Sequence, residues 1–343
     1  MQNLNTILLQ FDIPPGTYEW DFIQAGLINS TYKIYSIGGG NSYLLQQINT
    51  NIFTEPERIS RNVAIISNYL KHHFPDYLFG HFIPSKTGNT LVVDNGNTWR
   101  MQPFFENTYS INTIQTVEQA ELTAYEFARF SAMLSNLDSS TLTPAIHDFH
   151  NLELRWNQFL AALKSASEER LATAQNEIVT LHNFQHLVGM YTDIVSNKLL
   201  PLRIIHADTK INNILFDVAT HRPLCIIDYD TIMPGYFISD LGDMLRTMLC
   251  IGDENCNDKK QLLIRNDFYH AIIRGYKNGM DGIWSSLEDR YVDYAGQFMT
   301  YMQALRFLTD YLNQDIYYKI NYETHNLDRA KNQIYFLNQL SSL

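Results

Sequence analysis

A dense group of polar residues stands between two apolar stretches in the segment IIHADTKINNILFD, residues 204–217. It contains Asp208, Lys210 and Asn213, more polar groups than a simple chain reversal requires. A second apolar run, PLCIID, ends at Asp228. Kinases use a catalytic-loop aspartate, an asparagine that binds metal, and a second metal-binding aspartate in this order. The spacing therefore predicts metal-assisted phosphoryl transfer.

The residue types suit these roles. Asp208 can accept the proton of an attacking hydroxyl group, and Lys210 can meet the charge of a phosphate. The amide oxygen of Asn213 and the carboxylate of Asp228 are hard ligands that suit Mg²⁺. The stretches 214–216 and 223–228 are typical of two paired short strands, which would bring Asn213 and Asp228 side by side. Two polar turns with Asx-type capping are the alternative interpretation.

Other polar residues of this region have weaker signals. His206 is expected to brace the loop backbone and not to act as a base. Asp240 begins the pattern DLGDMLRTML and is expected to cap a helix, with a second possible role as a brace for the loop. Asp230 can assist a metal, although Asp228 ends the strand directly. His147 and His150 have the spacing of a helical zinc pair, but no further His or Cys stands near them to complete the site.

The first hundred residues predict a small, mostly antiparallel sheet with one helix. Gly38–Asn41 is interpreted as a hairpin turn, since no helix follows it to form a phosphate cradle. Thr54 and Glu57 predict a capping box at the start of the helix. The predicted strands are Ser30–Ile37, Ser42–Ile48, Thr90–Asp94 and Thr98–Glu106.

From about residue 107 the pattern is mostly helical. A capping box of Thr116 and Gln119 begins one helix, and further helices are expected at about 152–165, 167–198, 263–279, 286–313 and 327–341. The fold class is therefore α+β, with a small, antiparallel β-rich lobe, a connecting strand and a larger, mostly helical lobe. Residues 1–104 are predicted to form the nucleotide-binding lobe, and residues 105–343 the helical lobe that carries the catalytic groups and binds the acceptor.

Composition narrows the function classes. The 343 residues are 45% hydrophobic, enough for a large core, and carry a formal charge of −11 without a Lys/Arg-rich run. Nucleic acid is therefore disfavoured as a partner. The three cysteines show no disulfide or zinc spacing, and neither a signal peptide nor a membrane span is predicted. A cytoplasmic protein is expected, and a monomeric state is compatible with the sequence.

These motifs resemble the aminoglycoside phosphotransferase/choline kinase superfamily, which has a protein-kinase-like fold. The resemblance is closer to the N-acetylhexosamine 1-kinases and extends over motifs spread from about residue 26 to residue 336. The matching stretches are GLINSTY, YLLQQINTNIF, HADTKINNIL, IIDYDTIMPG, DLGDMLR and LRFLTDYLNQDIYY. The resemblance implies a kinase that uses ATP and Mg²⁺ to phosphorylate the anomeric hydroxyl of N-acetylglucosamine or N-acetylgalactosamine.

The resemblance also implies site residues. GLINSTY would cover ATP, and MQPFF (101–105) would be the strand linking the lobes and would meet the adenine. Asp208, as the base, would orient the sugar hydroxyl, and Arg306 and Tyr317 would bind the sugar. An Arg306–Asp310 ion pair is the equally weighted alternative for that arginine. The implied nucleotide-binding residues are Gly26, Asn29, Ser30, Thr31, Gln46, Gln102 and Phe104.

One position departs from the wider superfamily. Many kinases place a phosphate-binding lysine on the third strand, where this chain has Gln46 and Gln47. Lys33 lies on the preceding strand. This departure keeps open a nucleotide-binding pseudokinase. A kinase for another acceptor, such as an aminoglycoside, choline or another amino alcohol, is a separate alternative.

Overall fold

The computed structural model describes residues 4–23 and 28–343. It is an α+β protein, as predicted: antiparallel strands dominate its first hundred residues and helices dominate the remainder. The strands are β1 Tyr18–Ile23, β2 Ser30–Ser36, β3 Tyr43–Ile48, β4 Val92–Asp94, β5 Asn97–Pro103, β6 Thr108–Tyr109, β7 Arg203–Ile205, β8 Ile214–Asp217, β9 Pro223–Ile226 and β10 Met233–Gly235. The helices are α1 Leu4–Leu8, α2 Pro56–His73, α3 Val117–Met133, α4 Leu152–Ser165, α5 Glu168–Thr173, α6 Gln175–Asn183, α7 His186–Ser196, α8 Phe237–Met248, α9 Asn266–Gly279, α10 Ser286–Asp289, α11 Val292–Leu312 and α12 His325–Leu340.

The chain packs as two compact units, each assembled from separate stretches. The sheet unit comprises Met1–Tyr109, Asn136–His147 and Leu215–Pro234. The helical unit comprises Ser110–Ser135, Asp148–Ile214 and Gly235–Leu343. The division into lobes at residues 104 and 105 stays a prediction.

The sheet unit contains a five-stranded antiparallel sheet in the order β1-β2-β3-β5-β4. The predicted hairpin turn joins β2 to β3, and Gly39 and Gly40 supply the positive φ values of 83° and 120° that it needs. Alternation along the strands turns Leu45, Trp99 and Met101 into the core, where they pack with α1. The intervening residues point to the opposite face of the sheet.

A second, three-stranded sheet in this unit has the order β6-β8-β9. The hairpin predicted for residues 214–228 is confirmed, with β8 and β9 as its two strands. A tight turn joins them, in which His221 has a positive φ of 56°. The hairpin therefore places Asn213 immediately before its first strand and Asp228 two residues after its second.

The helical unit is organised around α11, which packs against α4, α8 and α12. Helices also approach closely where glycine removes the side chain. At Gly275 on α9, a Cβ atom would lie 2.1 Å from the Glu121 carbonyl oxygen of α3, so only glycine fits there. Within the described residues, none of the helices is both long and apolar enough to cross a membrane.

Several predicted element boundaries were wrong. The capping box at Thr54 and Glu57 does not form, because α2 begins at Pro56 and its N-cap residue, Glu55, makes no side-chain capping bond. The helix expected at 167–198 is three helices, α5, α6 and α7. Strands β4 and β5 are shorter than predicted. The capping box of Thr116 and Gln119 at the start of α3 is confirmed.

Candidate active site

The loop after β7 is held by a buried carboxylate. Asp240, fully buried on α8, accepts hydrogen bonds from the backbone N–H groups of His206 (3.0 Å) and Ala207 (2.7 Å). Its own carbonyl oxygen accepts the hydroxyl of Thr209 at 2.7 Å. The predicted capping role of Asp240 was wrong, because α8 begins earlier, at Phe237, and the side chain points to the loop. The second role considered for Asp240, as a brace of this loop, is confirmed.

The braced loop has an unusual backbone. Ala207 is buried and has a φ of 64°, in the left-handed region that side-chain-bearing residues rarely adopt. Such a conformation persists where the surroundings fix it, and the bond from the Ala207 N–H to Asp240 does so. The His206 ring is in the core, where it packs edge-on against Phe127 with ring centroids 5.2 Å apart. The structure therefore favours its expected bracing role.

Three of the predicted catalytic and metal residues meet in this loop. The Oδ1 atom of Asp208 lies 2.9 Å from the Lys210 ammonium. The side-chain amide of Asn213 donates to the Asp208 carbonyl oxygen (2.8 Å) and to its Oδ2 atom (3.0 Å). The Asp208 side chain keeps 24% of its surface exposed, so an acceptor can reach it. These contacts fix both carboxylate oxygens without covering them.

Electrostatics keep Asp208 ionised. Burial alone would raise the pKa of Asp208, but the charge and hydrogen bond of Lys210, with smaller contributions from His206 and Asn213, bring it below its ordinary value. Conversely, the Asp208 carboxylate raises the pKa of Lys210 to about 12. At neutral pH the loop therefore presents a carboxylate paired with an ammonium group.

The turn after β9 belongs to the sheet unit and carries two acidic residues. Asp228 has left-handed backbone angles, φ 64° and ψ 69°. Asp230 is 4% exposed and forms a two-pronged ion pair with Arg100 on β5, in which the Nη2–Oδ2 distance is 2.9 Å. Asn29 also donates to Asp230 Oδ2, at 2.9 Å. Asp230 is thus committed to protein partners and does not fit the metal-assisting role considered for it.

Most of the predicted nucleotide residues in the described part of the chain lie on or beside one face of the five-stranded sheet. Strand register puts Thr31 opposite Gln46, and Gln46 opposite Arg100, with Gln102 on the same face. Ser30 is on the other face by the same alternation. Phe104 follows β5, and its ring lies under the Lys33 ammonium at 4.1 Å. Gly26 lies outside the described residues.

Gln46 is occupied by its neighbours. Its Oε1 atom accepts Arg100 Nε at 2.9 Å, and its Nε2 group donates to the Thr31 hydroxyl at 3.2 Å. Lys33, the other cation on this side, pairs with Glu106 at 3.0 Å. Gln46 is thus uncharged and already hydrogen-bonded, and the charge of Lys33 is already paired. Neither residue supplies an unpaired positive charge in place of the phosphate-binding lysine. Arg100 was missed by the sequence reasoning, although a lone arginine between Trp99 and Met101 in a core strand was a usable signal.

In the helical unit, Arg306 lies among aromatic rings. Its guanidinium carbon is 6.0 Å from the ring centroid of Phe149, 5.9 Å from Tyr317 and 5.4 Å from Tyr318, and Nη1 donates to Gln303 at 3.1 Å. Within residues 4–23 and 28–343, it has no carboxylate in ion-pair range. Arg306 therefore keeps an unpaired positive charge at a partly exposed position.

The alternative pairing of Arg306 with Asp310 was wrong, because Asp310 has other partners. This buried carboxylate accepts the backbone N–H groups of Tyr317 (2.8 Å) and Tyr318 (2.9 Å) and the side-chain amide of Asn326 (2.9 Å). The segment 313–318 is thereby tied to α11 and α12. The structure brings Tyr317 and Arg306 together, as predicted for a shared ligand site.

The two histidines considered for zinc do not form a helical pair. Both lie in turns outside α4. The Nε2 atom of His147 contacts Arg58 at 2.6 Å. Burial lowers the pKa of His150 to about 3, with Arg306 acting in the same direction, so this ring stays neutral. Within the described residues, no three His, Cys, Asp or Glu side chains converge as a metal site would require.

The sequence of this chain matches a known protein family. The sequence profile of the phosphotransferase enzyme family matches residues 19–283, which is most of the chain. The chain belongs to this family. The matched range includes the braced loop and the hairpin that follows it, and family membership does not by itself fix the acceptor.

Solved structures share the fold of this phosphotransferase. An aminoglycoside phosphotransferase from Alicyclobacillus acidocaldarius is 14% identical, with a TM-score of 0.65 over 98% of this chain and 95% of that one. A microcompartment-associated aminopropanol kinase is 15% identical, with a TM-score of 0.64 over 98% and 96%. The ethanolamine kinase of Plasmodium vivax is 14% identical, with a TM-score of 0.58 over 92% and 82%. At these identities the similarity shows the fold alone.

Proposed function

We propose that this protein is an ATP- and Mg²⁺-dependent kinase that phosphorylates the anomeric hydroxyl of an N-acetylhexosamine and yields the sugar 1-phosphate. The observation that carries the kinase assignment is the Asp208–Lys210–Asn213 cluster on a loop braced by Asp240. Related folds include a spectinomycin phosphotransferase solved with ADP, which supports nucleotide use. The acceptor assignment rests on the resemblance of the sequence motifs to the N-acetylhexosamine 1-kinases, and the surroundings of Arg306 support it.

The loop residues fit the chemistry of a hydroxyl acceptor. Asp208 is ionised and partly exposed, so it can hold the hydroxyl group by its proton and take that proton as the phosphoryl group transfers. Lys210 stays charged and offsets negative charge beside the reacting oxygen. The protein's main contribution in this proposal is to orient the acceptor at a fixed carboxylate.

The residues also fit a magnesium ion. The amide nitrogen of Asn213 is taken by Asp208, which leaves its oxygen for a metal. Asp228, a carboxylate of the sheet unit, is the second ligand that the sequence predicts. Both are hard oxygen ligands of the kind that Mg²⁺ prefers. When bound, Mg²⁺ neutralises charge on the nucleotide phosphates.

The charge around Arg306 favours a neutral acceptor. A choline or aminoglycoside site needs carboxylates or an empty aromatic cage for the ligand's cation. Here the three rings surround the protein's own guanidinium, and Arg155 is a second cation close enough to be affected electrostatically by Arg306. The donors of Arg306 suit the hydroxyl and acetamido oxygens of a sugar.

The test is ADP release from ATP and Mg²⁺ with N-acetylglucosamine, N-acetylgalactosamine, glucose, choline and kanamycin supplied separately. Phosphorus NMR would then locate the phosphate on the product. We expect turnover with an N-acetylhexosamine and phosphate on the anomeric carbon. Turnover with choline or kanamycin alone would refute the acceptor assignment. Binding of ATP without turnover of any acceptor would favour a pseudokinase.

The base assignment has its own variant. Asp208→Asn should lower kcat by about 10²–10⁴-fold, the usual contribution of a general base, with ATP affinity nearly unchanged. Asp217→Asn is the matched control, since this half-buried carboxylate caps the hairpin turn by accepting the N–H and the hydroxyl of Thr220, at 2.7 Å and 2.8 Å. Near-normal turnover of Asp208→Asn would show that this carboxylate is not the base.

A further inference from the structure

The sheet unit contains a buried ion pair that the catalytic roles above do not use. Arg100 and Asp230 are 2% and 4% exposed and are joined by two parallel hydrogen bonds across a sequence separation of 130 residues. A buried charge destabilises a protein unless it is paired and its remaining hydrogen-bonding groups are satisfied. The other hydrogen-bond partners of Arg100 and Asp230 therefore show whether this buried pair is fully satisfied.

Those partners form a continuous network across the sheet. Thr31, Gln46 and Arg100 stand opposite one another on β2, β3 and β5, and hydrogen bonds run between them in that order. On the other side, Asn29 donates to Asp230 and accepts the Asn49 backbone N–H at 2.9 Å. Arg100 and Asp230 are thus satisfied from both sides.

The network ends at the turn that carries Asp228. This residue holds a left-handed conformation, which Asn and Asp adopt more readily than other non-glycine residues but which still costs free energy that the surroundings must offset. The residues that follow supply the restraint. The Tyr229 hydroxyl donates to the Ile226 carbonyl and accepts the Gly80 N–H, both at 2.9 Å, and Asp230 is fixed by Arg100.

We propose that Arg100 is a positioning residue for Asp228. By holding Asp230, it fixes the turn and so the direction of the neighbouring carboxylate. Gln46, at the third-strand position where many kinases have lysine, acts as a support for Arg100 and not as a phosphate ligand. Arg100, the buried cation of this sheet, thus lies on β5, the strand beside β3, and acts on the turn that carries Asp228. The inference rests on the proposed role of Asp228 toward Mg²⁺.

The test compares ADP binding in EDTA with ADP binding in Mg²⁺, by calorimetry and without acceptor. Arg100→Lys keeps the buried charge but cannot form both bonds to Asp230. The double variant Arg100→Met/Asp230→Leu removes both charges together and so leaves neither unpaired. We expect ADP affinity in EDTA to stay within twofold of wild type and the Mg²⁺-dependent increase to fall at least tenfold in both variants.

Two further measurements separate the possible causes. Lys33→Met removes a cation from the same sheet face without touching Asp230, and it should keep the full Mg²⁺ effect. Hydrogen exchange of a peptide spanning residues 226–232, measured without metal or nucleotide, should become faster in Arg100→Lys than in Lys33→Met. A purely structural role would lower the melting temperature of Arg100→Lys without altering exchange specifically in this peptide or the Mg²⁺ effect.

The outcomes distinguish this inference from the proposed function. If wild type gains ADP affinity with Mg²⁺ and the Arg100 variants gain as much, the positioning role is overturned and the proposed function stands. If wild type binds ADP equally with and without Mg²⁺, the metal role of Asp228 fails and the inference fails with it.

Discussion

Replacing Asp310 with asparagine should loosen the segment 313–318. The wild-type carboxylate accepts two backbone N–H groups, from Tyr317 and Tyr318, together with the Asn326 side chain. Asparagine keeps one acceptor oxygen and turns an N–H donor toward the other site. The variant therefore loses one of the two backbone hydrogen bonds and leaves a donor facing a donor.

The magnitude follows from the charge on the acceptor. A hydrogen bond to an ionised group contributes about 1.5–3 kcal/mol, so we take about 2 kcal/mol for the lost bond. Since about 1.4 kcal/mol corresponds to a factor of ten, local opening should become roughly 30-fold more frequent. The segment has little intrinsic preference for its conformation, because Gln314 and Asp315 have positive φ values of 69° and 59°. Other restraints on the segment remain in the variant, among them the ion pair between Arg170 and Asp315, at 2.7 Å, and the hydrogen bond from the Asn326 side chain to Asp315, at 2.9 Å.

Hydrogen exchange at the amides of Tyr317 and Tyr318 measures this opening directly and needs no substrate. Asp293→Asn on the same helix is the control, since Asp293 accepts only the Tyr269 hydroxyl, at 2.6 Å, among the hydrogen bonds resolved for it. If these two amides exchange as slowly in Asp310→Asn as in wild type, or equally fast in both variants, then Asp310 does not hold the segment. Under the proposed function, the KM for the sugar should rise as well, while the KM for ATP stays nearly constant.

Three more predictions concern the braced loop. Lys210→Met should move the acid limb of the pH–rate profile to higher pH, because Lys210 holds the Asp208 pKa below its ordinary value against the effect of burial; an unmoved limb in the profile of kcat/KM would contradict this. Burial raises the pKa of Asp240 to about 7, so this carboxylate is a charged acceptor only above that pH. In urea denaturation at alkaline pH, Asp240→Asn should lower the unfolding free energy by about 2 kcal/mol, since one loop N–H loses its charged acceptor; a loss below about 0.5 kcal/mol would show that the brace is unimportant. Ala207→Val should lower it by about 3 kcal/mol because a β-branched residue cannot adopt a φ of 64° without strain, whereas Ala207→Gly should be tolerated; equal losses in both variants would refute the conformational argument.

Local pattern was sufficient to predict much of this molecule. The loop from Asp208 to Asn213 and the hairpin after it were predicted, because the ends of strands and the spacing of polar residues depend on residues that are adjacent in sequence. The Thr116 capping box was predicted for the same reason. The structure shows that Asp208, Lys210 and Asn213 converge. Their catalytic and metal-binding roles stay predictions.

Features that depend on residues far apart in the chain could not be predicted from the sequence. The partner of Arg100 lies 130 positions away, and no local signal pairs the two. The sequence favoured a capping role for Asp240 over a bracing role because its pattern looks like a helix start, but the helix already begins at Phe237. The stretch 167–198 has continuous helical periodicity and no proline, so its sequence does not indicate that the helix is interrupted near Ala174 and Gln185. Packing decides these points, and packing is not local.

The long-range pair has a consequence for how the chain is made. During synthesis, the strand that carries Arg100 emerges well before Asp230, and at about 5–20 residues per second the delay is on the order of ten seconds. Throughout that interval the nascent sheet lacks the anion that lets its arginine be buried. A chain truncated before Leu215 would never receive it, so the first hundred residues should fail to mature as an isolated fragment. The last turn of the sheet unit to leave the ribosome is also the one that completes it.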